Sequence, residues 1–310
     1  MNLISNGRRV AALLLTTLLA GPAAAQDYGD TPYVQTPQNV VDKMLEVAKV
    51  GAKDYVIDLG SGDGRMVITA AQRYGARGFG VDLDKRLVTL SNRNAAKGGV
   101  ADRAAFFERD IYETDLSPAS VVTIYLLPEV NLMMRPKLFA MLKPGTRVVA
   151  HDYDMGEWAP DLALTIDAPN KPVGRDKKSK IFYWVVPAKA AGKWRWRSTD
   201  GGVQRDFDLS LNQNFQKIEG TVTSDGKAFP IEDAKLVGDA ITFVAKLDPS
   251  GAARQEFSGR IINHAIEGAV RTTRAGAPAQ QAAWSAARTE TWEPRHLTLP
   301  PPTLIPPQPQ

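Results

Sequence analysis

Between residues 33 and 187, short apolar runs alternate with stretches in which hydrophobic residues recur every three or four positions. This is the pattern of parallel strands joined by crossover helices. Val40, Val41, Met44, Leu45 and Val47 mark a first helix, with Thr36 read as its N-cap and Pro37 as its first-turn proline. A buried strand follows over 55–59 and runs into a glycine cluster. Helical spacing returns over 66–74, then a strand over 78–81, a helix through Leu87 and Leu90, and strands over 104–108 and 120–126. Pro128 ends that last strand. A helix over 132–142 stops at Lys143-Pro144-Gly145, and the next strand covers 146–150. His151 and Leu162 leave little room for another helix between them. The sheet is therefore expected to finish in a hairpin, 162–167 against 180–186, around a loop holding Lys177, Lys178 and Lys180.

Past residue 187 the period changes to two. Phe207, Leu209 and Leu211 interleave with Asp206, Asp208 and Ser210, as in half-buried strands. Turn signals at 200–202, 224–226, 238–239 and 249–251 predict an antiparallel meander of seven or eight strands, closing as a barrel or packing as a sandwich. Trp194, Trp196 and Trp284 are assigned to its core. The fold class is thus α/β: a Rossmann-like, doubly wound, mainly parallel sheet over 26–187, then an antiparallel β domain over 188–290. The proline-rich residues 291–310 bury little and are expected to form an extended, disordered tail.

Composition narrows the chemistry. The 310 residues are 44% apolar and 23% charged, and contain no Cys and three His, which excludes disulfides, thiolate metal sites and a cysteine nucleophile. His151, His264 and His296 are far apart in sequence, so no metal is expected. The net charge of +4 falls to +2 once residues 1–25, with two arginines and no acid, are set aside. That balance does not suggest nucleic acid as a partner. Arg8 and Arg9, the apolar run 10–20 and Ala23-Ala24-Ala25 form the three-part pattern of a cleaved signal peptide over 1–25. The run is too short for a stable membrane span, and the expected location is outside the cytosol, in a bacterial periplasm.

The residues that carry chemistry lie where the first strand turns into a helix. Val56-Ile57-Asp58-Leu59-Gly60-Ser61-Gly62-Asp63-Gly64 sets three glycines at alternate positions, letting the backbone turn tightly and a nucleotide-like ligand approach the main chain. Asp82, 18 residues past Gly64, ends the next strand, where a carboxylate can accept two ribose hydroxyls. A dinucleotide site expects Gly-x-Gly-x-x-Gly instead. The spacing Gly60-x-Gly62-x-Gly64 preceded by Asp58 is similar to the first motif of class I S-adenosylmethionine-dependent methyltransferases.

That resemblance implies S-adenosyl-L-methionine as cofactor. Gly60 and Gly62 would lie near its methionine moiety, Asp82 on the ribose, and Asp110 and Ile111 beside the adenine. Asp58 either contacts the cofactor or orients the glycine loop. Two further segments, Tyr33-Val34-Gln35-Thr36-Pro37 and Ile124-Tyr125-Leu126-Leu127-Pro128-Glu129-Val130-Asn131, resemble the seven-strand lysine methyltransferases, the non-SET histone-lysine enzymes and the mitochondrial enzymes acting on the c-ring of ATP synthase. In that family the Tyr-x-x-Thr segment folds over the cofactor, so Tyr33 and Thr36 become lid contacts. Those relatives are intracellular and lack the β-rich tail, so the resemblance speaks to cofactor and reaction more than to substrate. Tyr125 and Glu129 follow the fourth strand at the edge where open α/β sheets bind ligands, and are the candidate catalytic residues facing an amine acceptor, with a protein lysine foremost. Asp63 and Arg65 read as loop solvation, and His151 as locally hydrogen-bonded and outside catalysis. The alternative function is a non-catalytic envelope protein that binds a nucleotide ligand and docks a partner through its β domain.

Overall fold

The computed structural model describes residues 33–200, 203–247 and 253–298. The signal-peptide segment 1–25, the turn residues 201 and 202, the 249–251 turn and the prolines from 300 onward lie outside the described residues. The first half runs α1 (Gln38–Val47), β1 (Tyr55–Leu59), α2 (Arg65–Tyr74), β2 (Arg77–Asp82), α3 (Lys85–Lys97), β3 (Ala104–Glu108), β4 (Val121–Ile124), α4 (Pro128–Met141), β5 (Arg147–His151), β6 (Leu162–Asp167) and β7 (Lys178–Val185). Its strands lie in the order β3-β2-β1-β4-β5-β7-β6. β1 to β5 are parallel, and β7 is antiparallel to both of its neighbours. The strand order reverses at β1, whose neighbours are β2 and β4. The loops leaving β1 and β4 therefore diverge and leave a crevice at the carboxyl edge.

The runs that read as continuous apolar strands are buried on both faces, as a parallel sheet requires. On one face α1 lays Val40, Val41, Met44 and Leu45 against Val56, Val121 and Val149. On the other, Met134 and Leu138 of α4 join Ile57, Leu59, Ile124 and Trp184.

Two helix starts differ from the expected ones. α1 begins after Pro37 with no side-chain cap, because the Thr36 hydroxyl is engaged by His151 instead. α4 begins at Pro128 rather than at Leu132, since the fixed φ of proline suits the first helical position.

The second half comprises β8 (Gly192–Asp200), β9 (Val203–Asn214), β10 (Lys217–Ser224), β11 (Lys227–Val237), β12 (Ala240–Lys246), β13 (Ala253–Ile262), β14 (Ala265–Arg274) and β15 (Gln280–Thr291), then one turn of helix, α5 (Arg295–Thr298). The eight strands close into an antiparallel barrel, which resolves the choice between barrel and sandwich. Its interior is filled by side chains, as expected at this strand number. The Trp196 and Phe207 rings stack at 5.2 Å, those of Phe243 and Phe257 at 4.7 Å, and Trp284 stands edge-on to Phe257 at 4.9 Å. Trp194 is buried among them. Outside, the register sets Arg195 across from Asp208 and Arg197 across from Asp206, and each pair is joined by two hydrogen bonds.

Among the contacts between the halves is an apolar plug. Phe215, in the β9–β10 turn, is 2% exposed and belongs to the core cluster of the sheet half. Its ring is near-parallel to Trp158 at 6.2 Å and lies 5.7 Å from Phe139 of α4. His296 of α5 stacks on Phe215 at 4.5 Å, and its Nδ1 accepts the Phe215 N–H at 2.7 Å. Burial holds the imidazole down at about 4, so it is neutral there. The ordered fold thus continues past residue 290: Thr291 completes the pairing of β15 with β8, and His296 fills a slot that an extended tail would leave open.

Candidate active site

Gly60, Gly62 and Gly64 all have positive φ, at 76°, 54° and 83°. The loop between β1 and α2 is therefore written in a conformation that side chains resist. Space is equally restrictive. A Cβ at Gly60 would meet Leu126 Cδ2 at 2.6 Å, and one at Gly62 would run into the Tyr33 ring. Tyr33 thus lies over the glycine loop. The loop is fixed to the next strand by Gly60 and Ser61 N–H groups, which share the Val81 carbonyl at 3.0 and 2.9 Å.

Asp82 closes the other side of the cradle. One of its carboxylate oxygens accepts the Gly62 N–H at 2.9 Å and the other the Asp84 N–H at 2.9 Å. A carboxylate has about four acceptor positions, so both oxygens keep capacity for a diol. Leu83, the next residue, is 72% exposed. Asp110 accepts the Tyr112 N–H at 2.7 Å and so fixes the turn that follows β3, and Ile111 is half-buried beside it. Asp58 is buried and accepts the Thr123 hydroxyl at 2.6 Å. Burial, reinforced by the nearby Asp82 and Asp63 charges, pushes its carboxyl up to about 7.

Arg65 does more than solvate the loop. Its guanidinium grips Asp63 at 2.6 Å and donates to the Thr36 carbonyl at 2.7 Å, tying the glycine loop to the Tyr33–Thr36 segment. The Thr36 hydroxyl lies 3.2 Å from His151 Nδ1. His151 is fully buried, with Nε2 2.9 Å from Ser179 Oγ and 3.5 Å from Asp152 Oδ2. Desolvation lowers it to about 4, so it is a neutral imidazole, and the adjacent carboxylate favours the tautomer with its proton on Nε2.

Tyr125, just past β4, lies over that imidazole with ring centroids 4.0 Å apart. Tyr153 stands near-parallel to Tyr125 at 6.4 Å. Burial, then the charge of Asp152, raises the Tyr125 phenol above its ordinary value, which keeps it protonated. Glu129 is exposed in the first turn of α4, where an acid also complements the helix dipole. Asn131 holds the segment after β5 by donating to the Tyr153 carbonyl at 3.1 Å.

The structure thus gathers Tyr33, Thr36, the three glycines, Asp58 and Asp82 around one crevice, with Asp110 and Ile111 after β3 and Tyr125 after β4. It adds Leu83 and Lys171, which the sequence reading missed, together with Arg65, read there as loop solvation, and Asp152 and Tyr153 of the 151–154 segment, read there as a candidate lining of the rim. Arg65, Leu83, Asp152 and Tyr153 follow a glycine turn or a strand end, a positional signal present in the sequence. Lys171 reaches the site only through tertiary contacts. Among the described residues no group of three His, Asp or Glu side chains could hold a metal ion, and no helix is long and apolar enough to cross a membrane.

Strand order, glycine turn and downstream acid together define a Rossmann-like methyltransferase domain. A family model described as the ANTKMT methyltransferase domain matches residues 58–162. A protein-lysine N-methyltransferase of Saccharolobus islandicus is 44% identical over 45% of this chain and 87% of its own length. The mouse adenine nucleotide translocase lysine N-methyltransferase is 31% identical over 42% of this chain and 56% of its own. A solved RNA methyltransferase of Salinibacter ruber, in complex with S-adenosyl-L-homocysteine, is 49% identical over 49% of this chain and 93% of its own, with a TM-score of 0.44. The chain belongs to this methyltransferase family. It is an S-adenosylmethionine-dependent methyltransferase.

Proposed function

We propose that this enzyme methylates the side-chain amine of lysine in a protein acceptor, and that it does so outside the cytosol. The observation that carries the acceptor is the pair of near-parallel rings, Tyr125 and Tyr153, at the carboxyl edge beside the glycine loop, flanked by the exposed acids Glu129, Asp154 and Glu157. Such a mouth attracts a cation and repels a phosphate backbone. Lysine methyltransferases among the relatives support the same acceptor. The leader-like residues 1–25 support export, and N-terminal sequencing of the mature protein from a periplasmic fraction tests it.

The cradle fits the cofactor, because Gly60, Gly62 and Gly64 hold the main chain in a left-handed turn that side chains resist and Asp82 retains lone pairs for two hydroxyls. Gly60 and Gly62 would present backbone to the methionine end, with Asp58 behind the loop, Asp82 would take the ribose, and Leu83 and Ile111 with Asp110 would flank the adenine. Tyr33 and Thr36 cover it. The bound cofactor supplies an electrophilic methyl on a sulfonium and a neutral leaving group. What remains for the protein is to deliver a neutral, aligned amine. Lysine must lose a proton that at pH 7 it holds by about 3–4 pK units. Burial beyond the mouth favours the neutral amine, and Glu129 at the mouth receives the proton.

Two measurements test this. Calorimetric titration with S-adenosylmethionine should give micromolar affinity that is lost in Asp82→Ala. Tritiated methyl transfer should label polylysine and not RNA, and Glu129→Gln should lower turnover with cofactor affinity intact. Labelling of RNA alone would overturn the lysine acceptor.

A further inference from the structure

The segment 152–161, between β5 and β6, carries Tyr153, Asp154 and Glu157 at the mouth, yet it forms no strand or helix beyond one bridge between Met155 and Trp158. Side chains from elsewhere claim its carbonyls. Asn131 of α4 donates to the Tyr153 carbonyl at 3.1 Å, Arg135 of α4 to that of Met155 at 2.9 Å, Trp184 of β7 to that of Trp158 at 2.8 Å, and Gln216 to that of Ala159 at 2.7 Å. The last of these donors belongs to the barrel. Beside it in the β9–β10 turn, the Phe215 ring is near-parallel to Trp158, and the Arg135 guanidinium that holds Met155 lies 5.3 Å from the Phe215 centroid. The turn thus reaches the segment directly at Trp158 and Ala159, and at Met155 through Arg135. Nothing in the barrel itself calls for phenylalanine there. Asn214 pairs with Lys217, which leaves Phe215 and Gln216 as a two-residue hairpin turn, with φ 56° at Phe215. Such turns favour Asn, Asp and Gly, because bulky residues resist left-handed backbone. The β10–β11 and β13–β14 turns obey that rule with Asp225-Gly226 and Asn263-His264. Phe215 is held in its strained place by its N–H to His296 and by its carbonyl, which accepts Gln213 Nε2 at 2.8 Å. A residue that opposes its own turn and packs on the other half has its reason in that half.

We propose that the barrel is part of the acceptor site: Phe215 and Gln216 are positioning residues that fix the 152–161 segment, and with it the Tyr153 ring and the acids Asp154 and Glu157 that meet the incoming lysine. This rests on the lysine-transfer reading above. Tyr153 stands near-parallel to Tyr125 at 6.4 Å, so a segment that slips would widen that gap and carry its acids away from the mouth. The cofactor cradle is tied instead by the Val81 carbonyl, Asp82 and Arg65. The acceptor side can therefore be loosened while the cofactor side stays set.

Gln216→Ala removes one donor, and Phe215→Asn gives the turn a residue it favours while deleting the ring. In both, hydrogen–deuterium exchange over 152–161 should quicken about tenfold, the order expected for one lost hydrogen bond, while exchange in the 60–64 loop stays at the parent rate. Unchanged exchange over 152–161 overturns the proposal whatever the acceptor is. With polylysine as acceptor, KM should rise about tenfold in Gln216→Ala, with kcat and the S-adenosylmethionine Kd close to the parent values. Gln216→Lys keeps a donor for the Ala159 carbonyl and should restore most of the loss. Phe257→Ala loosens the barrel core among Phe243, Trp196 and Trp284, away from the turn, and should leave the polylysine KM alone. A KM raised equally by Phe257→Ala, or cofactor binding weakened along with acceptor binding in Gln216→Ala, would mean that the barrel acts through overall stability and would overturn the proposal. A parent enzyme that leaves polylysine unlabelled defeats the lysine reading alone, because the exchange measurement still decides what the turn holds.

Discussion

In the barrel the inward positions are apolar and the charges stand outside in cross-strand pairs; in the sheet half, buried polar groups gather toward one edge. Of the buried polar residues described, only Gln213 and Ser224 belong to the barrel strands, whereas Thr36, Asp58, Ser61, Thr123, Asn131, His151, Lys171 and Ser179 all belong to the sheet half. Gln213 is also fully used: it accepts the Ala190 and Ala191 N–H groups and donates to the Ala188 and Phe215 carbonyls. The sheet edge instead holds left-handed backbone at Gly60, Gly62, Gly64 and Asp152, and a buried carboxyl at Asp58 displaced to about 7. One half is arranged for packing, and the other accepts local strain where a ligand is to be held.

The contrast is testable, and the largest effect is expected in the barrel. Phe257→Ala removes a ring packed on Phe243, Trp196 and Trp284, and should cost about 3–5 kcal/mol in denaturant unfolding. Its affinity for S-adenosylmethionine, measured where the variant is still folded, should match the parent. A fall in both would mean that the halves are not energetically separable.

Asp58 gives the next largest effect, with a definite sign. Its folded value lies near 7 and its ordinary value at 3.8, so the native state favours the protonated acid. The associated stability is complete below pH 4 and is lost as pH rises through 7. Relative to Asp58→Asn, the parent should therefore lose about 2–4 kcal/mol between pH 4 and 8, read as converging or crossing melting temperatures. Parallel pH profiles would remove Asp58 from the strained group.

Gly62→Ala is a smaller change in atoms, but it demands a left-handed alanine and displaces Tyr33. A stability loss of about 1–2 kcal/mol is expected, with S-adenosylmethionine binding weakened about tenfold or more. Smallest of all, Arg195→Ala breaks an exposed pair with Asp208 that water already screens, and the melting temperature should hardly move.

The same contrast governs what the sequence disclosed. Periodicity located the strands of both halves, because burial on two faces or one writes itself directly into the order of residues. The glycine turn and Asp82 were legible for a local reason: backbone that needs positive φ restricts its own residue types. Closure into a barrel was not legible, since it depends on the last strand, β15, meeting the first, β8, a pairing that no single strand records. Arg65 and Thr36 were misjudged because their partners are distant in sequence, the Thr36 carbonyl for one and His151 for the other. Lys171 carried no signal, as a buried lysine looks like any other until the loop around it has folded. The tail failed at His296, whose place is set by Phe215, 81 residues earlier.

That last contact bears on the order of synthesis. Phe215 and His296 complete an aromatic cluster whose other members, Phe139 and Trp158, leave the ribosome much sooner. Until the final barrel strand has emerged, the back of α4 presents an open apolar socket to water, and the helix that begins at Leu127 and Pro128 beside Tyr125 lacks its support. A nascent or truncated chain ending before the barrel would carry the whole glycine loop and still be a sticky, unfinished enzyme. The barrel works as a late stopper: the half that performs the chemistry is written first and is sealed last.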